Sequence, residues 1–327
     1  MNVLVTGGAG FIGGHLAEAF VRSGHDVVVL DNFDAYYDPR IKEHNVEVVE
    51  ATAAESDGSC RVVEGDVRDR ELTADLVADT DCVYHHAAQA GVRTDYSFRK
   101  YHEVNVDGTL NLLEAAEDTD LERFVFASSS SVYGKPRYLP YDEEHVTTPV
   151  SAYGASKLAG ERYAMVHAEQ RGVPAVALRY FTVYGPRMRP NMAISNFVSR
   201  CMNGEPPVVY GDGSIVRDFT YVEDVVDVNR ELLTSDAADG EVLNVGSTGT
   251  ITIQELAETV RDELAPDLEV EYTEGYDIDA DATHADISRA AELLGYEPSR
   301  TIREGIHEFI DWYRDNRDWY EPLVRGE

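Results

Sequence analysis

The chain has 327 residues, 43% of them hydrophobic, which is enough for two domains or for one large α/β domain with an added lobe. Its 61 acidic residues against 28 basic ones give a formal charge of −33, which argues against nucleic acid and anionic membranes as partners. An acidic surface this poor in lysine suits a cytosol of high salt, where screening removes most self-repulsion. We therefore expect a halophilic protein, with an acidic mesophilic protein as the alternative.

The cysteines and the apolar runs set the expected location. Cys60, Cys82 and Cys201 are odd in number and lack the spacing of metal ligands, so we expect reduced thiols and no metal. The sequence opens directly on a strand pattern, and its apolar runs fall short of the ~18 residues of a membrane span. These features predict a cytoplasmic protein without a membrane partner.

The first thirty residues predict a dinucleotide site. A short apolar strand over residues 3–5 is followed by a glycine turn, a helical pattern and a second strand over 27–30. The turn glycines, spaced G-x-x-G-x-x-G, are Gly7, Gly10 and Gly13. Such a turn lets pyrophosphate approach bare backbone at a helix N-terminus. Asp31 ends the second strand and can bind both ribose hydroxyls of NAD while repelling a 2′-phosphate, or it can be a solvated strand end.

The next strands also end in residues that suit a cofactor. Strand 60–64 leads to Asp66 and Val67, whose side chain and backbone can bind an adenine amino group. Strand 82–85 is followed by small residues that let a cofactor lie against the backbone. Those residues are Ala87 and Ala88, followed by Gln89. A helix lies within 94–118, and Asn105 begins its main part.

The alternation of strands and helices predicts a doubly wound parallel sheet with ligands at the carboxyl ends of its strands. Strand 121–127 runs into four serines, a helix spans 151–170, and strand 175–180 ends at Tyr180. Beyond residue 182 the pattern changes to short strands and helices. The predicted helices there cover 193–203, 252–264, 287–294 and 301–315. We expect a nucleotide-binding domain over 1–181 and a smaller α/β lobe over 182–327 that closes over the cleft.

Tyr153 and Lys157 are the candidate catalytic pair. Their i, i+4 spacing puts both on one face of a helix. A phenol with a pKa near 10 is a poor base at neutral pH, but an adjacent ammonium and a nicotinamide charge lower its pKa. Tyr153 can then exchange a hydroxyl proton while hydride passes to NAD. Ser129, at the end of its strand, can hydrogen-bond the same substrate hydroxyl.

Several motifs together resemble one family. They are TGGAGFIG, GDV, HHAAQAGV, NVDGTLNLLEA, SSSSVYG, YGASK, LRYFTVYGPR, RDFTYVEDV and ADISRAAELLGY. The chain resembles the extended short-chain dehydrogenases/reductases of the NAD-dependent nucleotide-sugar epimerase/dehydratase family over essentially its whole length. The resemblance implies a Rossmann-type domain, a C-terminal sugar-nucleotide lobe, tightly held NAD and often a homodimer formed through two helices of each subunit.

The resemblance also assigns the site residues. It implies Ser129, Tyr153 and Lys157 as catalytic. The predicted cofactor contacts are Gly7, Gly10, Phe11, Ile12, Gly13, Asp31, Asn32, Asp66, Val67, Ala87, Ala88, Gln89, Asn105, Tyr153, Lys157 and Tyr180. The predicted substrate contacts are Ser130, Thr182, Arg187, Arg189, Asn196, Tyr210, Arg217 and Asp279.

Three of the substrate contacts have an implied partner on the nucleotide. The resemblance assigns Arg217 to the diphosphate, Tyr210 to stacking on uracil and Asp279 to the uridine ribose. The chain departs from the family pattern at two positions. Tyr276 replaces an expected arginine, which puts one diphosphate contact in doubt, and Thr182 replaces the asparagine of many UDP-glucose epimerases.

The reaction predicted from the resemblance is epimerisation. The dehydratase branch has an Asp and a Glu, and the decarboxylase branch a Glu, where this chain has Ser130 and Ser131. Neither serine can act as an acid, which favours oxidation at sugar C4, rotation of the 4-keto sugar and return of the hydride to the other face. The alternatives are a nucleotide-sugar dehydratase or reductase, and a non-catalytic NAD sensor.

The segments DNFDAYYDPRIKEHN and FTVYGPRMRPNMA look most like those of UDP-glucuronate 4-epimerases. A sugar carboxylate needs a matched donor, and Arg187 and Arg189 are candidates because a guanidinium can bind a carboxylate bidentately. Either residue can equally be an ordinary surface or phosphate-binding arginine. UDP-glucose/UDP-galactose 4-epimerase is therefore the close alternative.

Overall fold

The computed structural model describes residues 1–91, 96–275 and 280–326, so the predicted contact Asp279 and the replacement Tyr276 lie outside the described residues. The strands of the first half are β1 Asn2–Thr6, β2 Asp26–Asp31, β3 Ser59–Glu64, β4 Cys82–His85, β5 Arg123–Ser129 and β6 Ala175–Tyr180. Its helices are α1 Phe11–Arg22, α2 Pro39–Ala54, α3 Arg70–Ala78, α4 Phe98–His102, α5 Gly108–Ala116 and α6 Ala152–Arg171.

The second half contributes shorter elements. Its strands are β7 Thr182–Tyr184, β8 Val208–Tyr210, β9 Val216–Arg217, β10 Phe219–Tyr221, β11 Val242–Val245, β12 Ile251–Thr252 and β13 Glu271–Thr273. Its helices are α7 Ala193–Met202, α8 Val222–Glu231, α9 Ile253–Leu264, α10 Ser288–Leu294, α11 Ile302–Asp315 and α12 Arg317–Arg325. Among the described residues, no helix is both long enough and apolar enough to cross a bilayer.

The main sheet of the described chain is parallel, with the strand order β11-β6-β5-β4-β1-β2-β3. Its central strands are near-continuous apolar runs because helices cover both faces, and β5 is buried along its whole length. The predicted doubly wound α/β fold is confirmed. Strand β11 comes from the second half of the chain and pairs with β6. The domain boundary at 181/182 stays a prediction.

The helix predicted within 94–118 is interrupted. A π-helical turn over Glu103–Asp107 separates α4 from α5. Apolar spacing does not distinguish a π turn from the α-helix that surrounds it, because the turn inserts only one residue. The interruption places Asn105 in the buried π turn. There it faces α6 and the loop after β4.

Candidate active site

A cavity of about 910 Å³ opens at the carboxyl ends of the parallel strands, and residues from the second half of the chain also line it. Most of the predicted site residues line it. On the cofactor side these are Gly7, Gly10, Phe11, Ile12, Gly13, Asp31, Asn32, Asp66, Val67, Ala87, Ala88, Gln89 and Tyr180. On the substrate side they are Ser129, Ser130, Tyr153, Lys157, Thr182, Arg189, Asn196, Tyr210 and Arg217. Asn105 and Arg187 do not line it.

The glycine turn leaves bare backbone at the cavity wall. Gly7 has φ +67°, and a Cβ there would lie 2.7 Å from the backbone nitrogen of Ala87. A Cβ on Gly13 would lie 2.3 Å from the carbonyl oxygen of Gly7. Helix α1 begins next to this turn, and no side chain caps its N-terminus at Gly10. Free N–H groups and the positive end of the helix dipole at this position fit a diphosphate.

Asp31 is buried and accepts three hydrogen bonds from the protein, so the alternative of a solvated strand end is wrong. Its Oδ1 accepts from Lys42 Nζ at 3.0 Å and from the backbone N–H of Phe33 at 2.9 Å, and its Oδ2 accepts from that of Ala9 at 3.3 Å. Sequence reasoning missed Lys42, which is buried and lines the cavity. The scarcity of lysine could have pointed to Lys42. Three of the four lysines in the chain, at 42, 100 and 157, line this cavity.

Asp66 has the predicted position but already has strong protein partners. Its carboxylate accepts two bonds from Arg68, each 2.8 Å, and one of 2.8 Å from Asn32 Nδ2. The hydrogen bond from Arg68 is the largest cause that lowers the pKa of Asp66 to about 2. Asp66 is therefore ionised at neutral pH and is an acceptor only, which suits an adenine amino group.

Asn105 does not line the cavity but hydrogen-bonds a residue that does. Its Oδ1 accepts from the backbone N–H of Gln89 at 2.7 Å, and its Nδ2 donates to the Gln89 carbonyl at 3.1 Å. Nδ2 also donates to Ser156 Oγ at 2.8 Å. Asn105 thus ties the cavity-lining segment at Gln89 to helix α6, and it is not placed to touch a cofactor itself.

Helix α6 presents the candidate catalytic residues. The Ser151 hydroxyl caps its N-terminus by accepting from the backbone N–H of Gly154 at 3.0 Å. Lys157 is buried, with Nζ 5.0 Å from the centre of the Phe126 ring. Burial lowers the pKa of Lys157 to about 7. A buried lysine that loses its proton this readily needs anionic or polar partners to stay charged.

The pKa of Tyr153 shifts in the opposite direction to the one expected from sequence. Burial raises it, while a hydrogen bond from Ser129 and the charge of Arg189 oppose the rise. The expected lowering combined the Lys157 ammonium with a nicotinamide charge, and in the protein alone desolvation of the phenolate outweighs the protein's positive charges. Ser129 and Tyr153 are brought together as predicted.

A buried ion pair holds helix α6, which carries Tyr153 and Lys157, against the sheet. Glu161, two turns beyond Tyr153 on α6, pairs with Arg179 of β6 through bonds of 2.7 and 2.9 Å. Glu161 also accepts from the Ser128 hydroxyl at 2.6 Å. Both charged side chains are at most 1% exposed. The pair therefore holds α6 to β6, and the bond from Ser128 holds it to the end of β5, next to Ser129.

The two candidate arginines of the second lobe have different environments. Arg189 lines the cavity, with its guanidinium 5.4 Å from the centre of the Tyr36 ring. Arg187 is buried behind the cavity wall and pairs with Glu18 of α1 at 2.5 Å. Only Arg189 is placed to meet a ligand.

The remaining residues predicted to contact the substrate lie around the outer part of the cavity. Tyr210 is 50% exposed, as a stacking platform at the cavity mouth would be. Arg217 is 9% exposed and donates to the carbonyl of Val216 at 2.9 Å. Asn196 lies in the first turn of α7, and its Nδ2 donates to the Met192 carbonyl at 2.9 Å.

The model of the NAD dependent epimerase/dehydratase family matches residues 3–246 of the chain. The protein belongs to this family. UDP-glucuronate 4-epimerase 1 of Arabidopsis thaliana is 36% identical over 337 residues, which cover 96% of this chain and 76% of that protein. The predicted family is thereby confirmed.

Two solved structures of epimerases are similar along almost the whole chain. The UDP-glucuronic acid 4-epimerase of Bacillus cereus, in complex with UDP-glucuronic acid and NAD, has a TM-score of 0.89 at 33% identity and covers 97% of this chain and 100% of its own. The UDP-glucose 4-epimerase of Thermotoga maritima, with UDP-glucose, has a TM-score of 0.88 at 30% identity, with 97% and 100% covered. These epimerases support the predicted isomerase class, and the family match supports the predicted dependence on NAD.

Proposed function

We propose that the protein is an NAD-dependent 4-epimerase of a UDP-sugar, with UDP-glucuronate as the favoured substrate. The observation that carries the proposal is the cavity in which Ser129, Tyr153 and Lys157 lie together, with serines at 130 and 131 and with Arg189 beside them. The B. cereus epimerase of the same fold binds UDP-glucuronic acid and NAD. Its similarity supports the assignment of both ligands.

The residues present fit NAD. The bare glycine turn at the start of α1 would hold the diphosphate, Asp31 the adenosine ribose and Asp66 the adenine edge. Lys157 would bind the nicotinamide ribose. When bound, NAD supplies the acceptor for the C4 hydride of the sugar and the donor that returns it.

The chain's own residues then handle the proton. Tyr153 takes the proton of the sugar C4 hydroxyl as the hydride leaves, and gives it back when the hydride returns. Ser129 holds the same hydroxyl through a hydrogen bond. The raised pKa of Tyr153 in the protein alone keeps the phenol protonated, so a positive charge brought by the ligands is needed to make it a base.

The neighbouring serines favour epimerisation over dehydration. Elimination of water from a 4-keto sugar needs an acid and a base next to the hydroxyl-binding residue, and Ser130 and Ser131 supply neither. The 4-keto sugar therefore keeps its substituents, rotates and is reduced on the other face. A hydride that returns to C4 would leave the cofactor in its starting state, so no external reductant is needed.

Arg189 favours a sugar with a carboxylate. Its guanidinium lines the same cavity as Tyr153, where a bound sugar would place the group carried by C5. A guanidinium can bind a carboxylate bidentately and would hold it against decarboxylation at the keto stage. The similarity to the T. maritima UDP-glucose 4-epimerase supports UDP-glucose as the second candidate substrate.

Proton NMR tests the assignment directly. The purified protein is incubated in molar KCl with UDP-glucuronate and separately with UDP-glucose, without added cofactor, and the anomeric region is followed. We expect the 4-epimer of UDP-glucuronate to appear faster than that of UDP-glucose. Conversion of UDP-glucose alone would make UDP-glucose the assigned substrate in place of UDP-glucuronate. Conversion of neither sugar would contradict the proposal.

We also propose a homodimer formed through α4 and α6. These helices pack against each other, and each exposes apolar side chains. Phe98 is 80% exposed, and Tyr163 and Val166 are each 42% exposed. Burial of such a patch against a second copy would remove it from water. Light scattering after size exclusion should give twice the chain mass.

A further inference from the structure

An ion pair behind the cavity wall joins the two halves of the protein. Arg187 lies in the Arg189 loop, by which we mean residues 185–192. It donates to Glu18 on helix α1 at 2.5 Å, and the two side chains are only 8% and 16% exposed. Helix α1 is the helix whose N-terminus lines the cofactor side of the cavity. The pair therefore connects the loop that carries Arg189 to the glycine-turn element.

The loop backbone is strained where the pair forms. Arg187 has φ +60°, a conformation that residues with a Cβ rarely adopt and that persists only where the surroundings impose it. Its Nη1 is buried and finds no hydrogen-bond partner among the described residues. Both features oppose this placement of Arg187, so the Glu18 carboxylate is the group that holds the side chain inside.

A second contact fixes the loop one residue later. The hydroxyl of Tyr320, on the C-terminal helix α12, donates to the Met188 carbonyl at 2.7 Å. Beyond these two attachments comes Arg189, whose guanidinium turns the other way, into the cavity and towards the Tyr36 ring. The contacts of Arg187 and Tyr320 therefore fix the position of the backbone that leads into Arg189.

We infer that the Glu18–Arg187 pair is a positioning device that sets Arg189 for a substrate carboxylate, and thereby sets the preference between UDP-glucuronate and UDP-glucose. The inference rests on the proposed role of Arg189. Arg187 does not line the cavity, so it acts through the loop. An arginine displaced by about 1 Å loses bidentate geometry to a carboxylate, whereas the rest of the sugar nucleotide is bound elsewhere.

The chain offers a matched control. Arg22 pairs with the same Glu18 at 2.6 Å, but its side chain is 68% exposed. Arg187→Met and Arg22→Met each remove one guanidinium from Glu18 and keep a long side chain. In Arg187→Met, Glu18 retains Arg22 and some access to water, so no buried charge is left alone.

Calorimetric titration of the NAD-loaded protein with each UDP-sugar measures the preference. All variants are made in a Tyr153→Phe background, so that no turnover disturbs the titration. Arg187→Met should weaken UDP-glucuronate binding about tenfold and UDP-glucose binding less than about twofold. Arg22→Met should change neither Kd by more than about twofold. An Arg187→Met protein that binds both sugars as before, or weakens both equally, would overturn the inference.

Glu18→Gln provides the second variant. It leaves Arg187 in place without its carboxylate and should reproduce the selective loss, provided that far-UV circular dichroism matches the parent. Unfolding of both variants would contradict the inference, because it would assign the pair to folding and not to positioning. Turnover of the protein that retains Tyr153 is measured separately by NMR. If that protein epimerises neither sugar while Arg187→Met still weakens only UDP-glucuronate binding, the proposed epimerase function is rejected and the positioning role of the pair stands.

Discussion

The proposed chemistry depends on Tyr153, because its phenol lies at the Ser129 hydroxyl and can take and return a proton. Tyr153→Phe removes only its oxygen and should lower kcat by roughly 10²- to 10⁴-fold while bound NAD is retained. Tyr272→Phe is the control, since Tyr272 is exposed and does not line the cavity. NMR turnover assays compare the two, and a fully active Tyr153→Phe protein would contradict the mechanism.

Lys42 should matter for the cofactor although it carries no chemistry. Its ammonium lies 3.0 Å from Asp31 and fixes the carboxylate expected to bind the adenosine ribose. Lys42→Met should raise the Kd for NAD about tenfold in calorimetric titration of nucleotide-free protein. The matched variant Lys135→Met alters an exposed loop lysine and should leave the Kd unchanged. Equal effects of the two substitutions would argue against this role.

A functional residue can be predicted from the sequence when the feature that places it in the site is local in the chain. The turn glycines, Asp31 and the Tyr153–Lys157 pair depend on short spacings, and the sequence places them at the cavity correctly. Lys42 and Glu18 gain their importance from partners that only the tertiary fold brings near. Arg187 and Arg189 have the same residue type two positions apart, and the left-handed backbone at Arg187 that sends them to opposite sides has no signature in the sequence.

At the scale of elements, the Glu161–Arg179 pair holds α6 to the sheet next to the site. Glu161→Gln leaves Arg179 buried without its countercharge, which should cost about 3–5 kcal/mol of the free energy of unfolding and also lower kcat. The exposed Glu169 on the same helix is the control, and Glu169→Gln should change stability by less than about 0.5 kcal/mol. Urea unfolding measures both, and matching losses would show that the buried pair has no special role.

The long elements follow from periodicity and the short ones do not. Strands β1 to β6 and helices such as α6 have apolar patterns of the right length. The three-residue strands β7 and β13 contain too few positions for a pattern. Helix α12 was missed because it contains Pro322 and presents a narrow apolar stripe. Strand β11 is an apolar run typical of a strand, but its addition to the main sheet depends on a tertiary crossover that local sequence does not encode.

At the scale of the whole molecule, the charge of −33 predicts that stability depends on salt. Self-repulsion among carboxylates extends over about 10 Å at about 0.1 M salt and about 3 Å at about 1 M. The melting temperature should therefore fall by roughly 10 °C when KCl is lowered from about 1 M to about 0.1 M. NaCl should act like KCl if screening is the cause. A melting temperature that is unchanged or higher at low salt would contradict the halophilic interpretation, which stays a prediction, as does the cytoplasmic location.

The central claim is that hydrogen leaves C4 of the sugar and returns to the same carbon within one site. Conversion of UDP-glucuronate carrying deuterium at C4, in ordinary water and without added cofactor, tests it most directly by NMR and mass spectrometry. The account predicts a 4-epimer that retains the deuterium at C4, with no net NADH absorbance. Loss of the label to solvent, or accumulation of NADH in step with product, would contradict it.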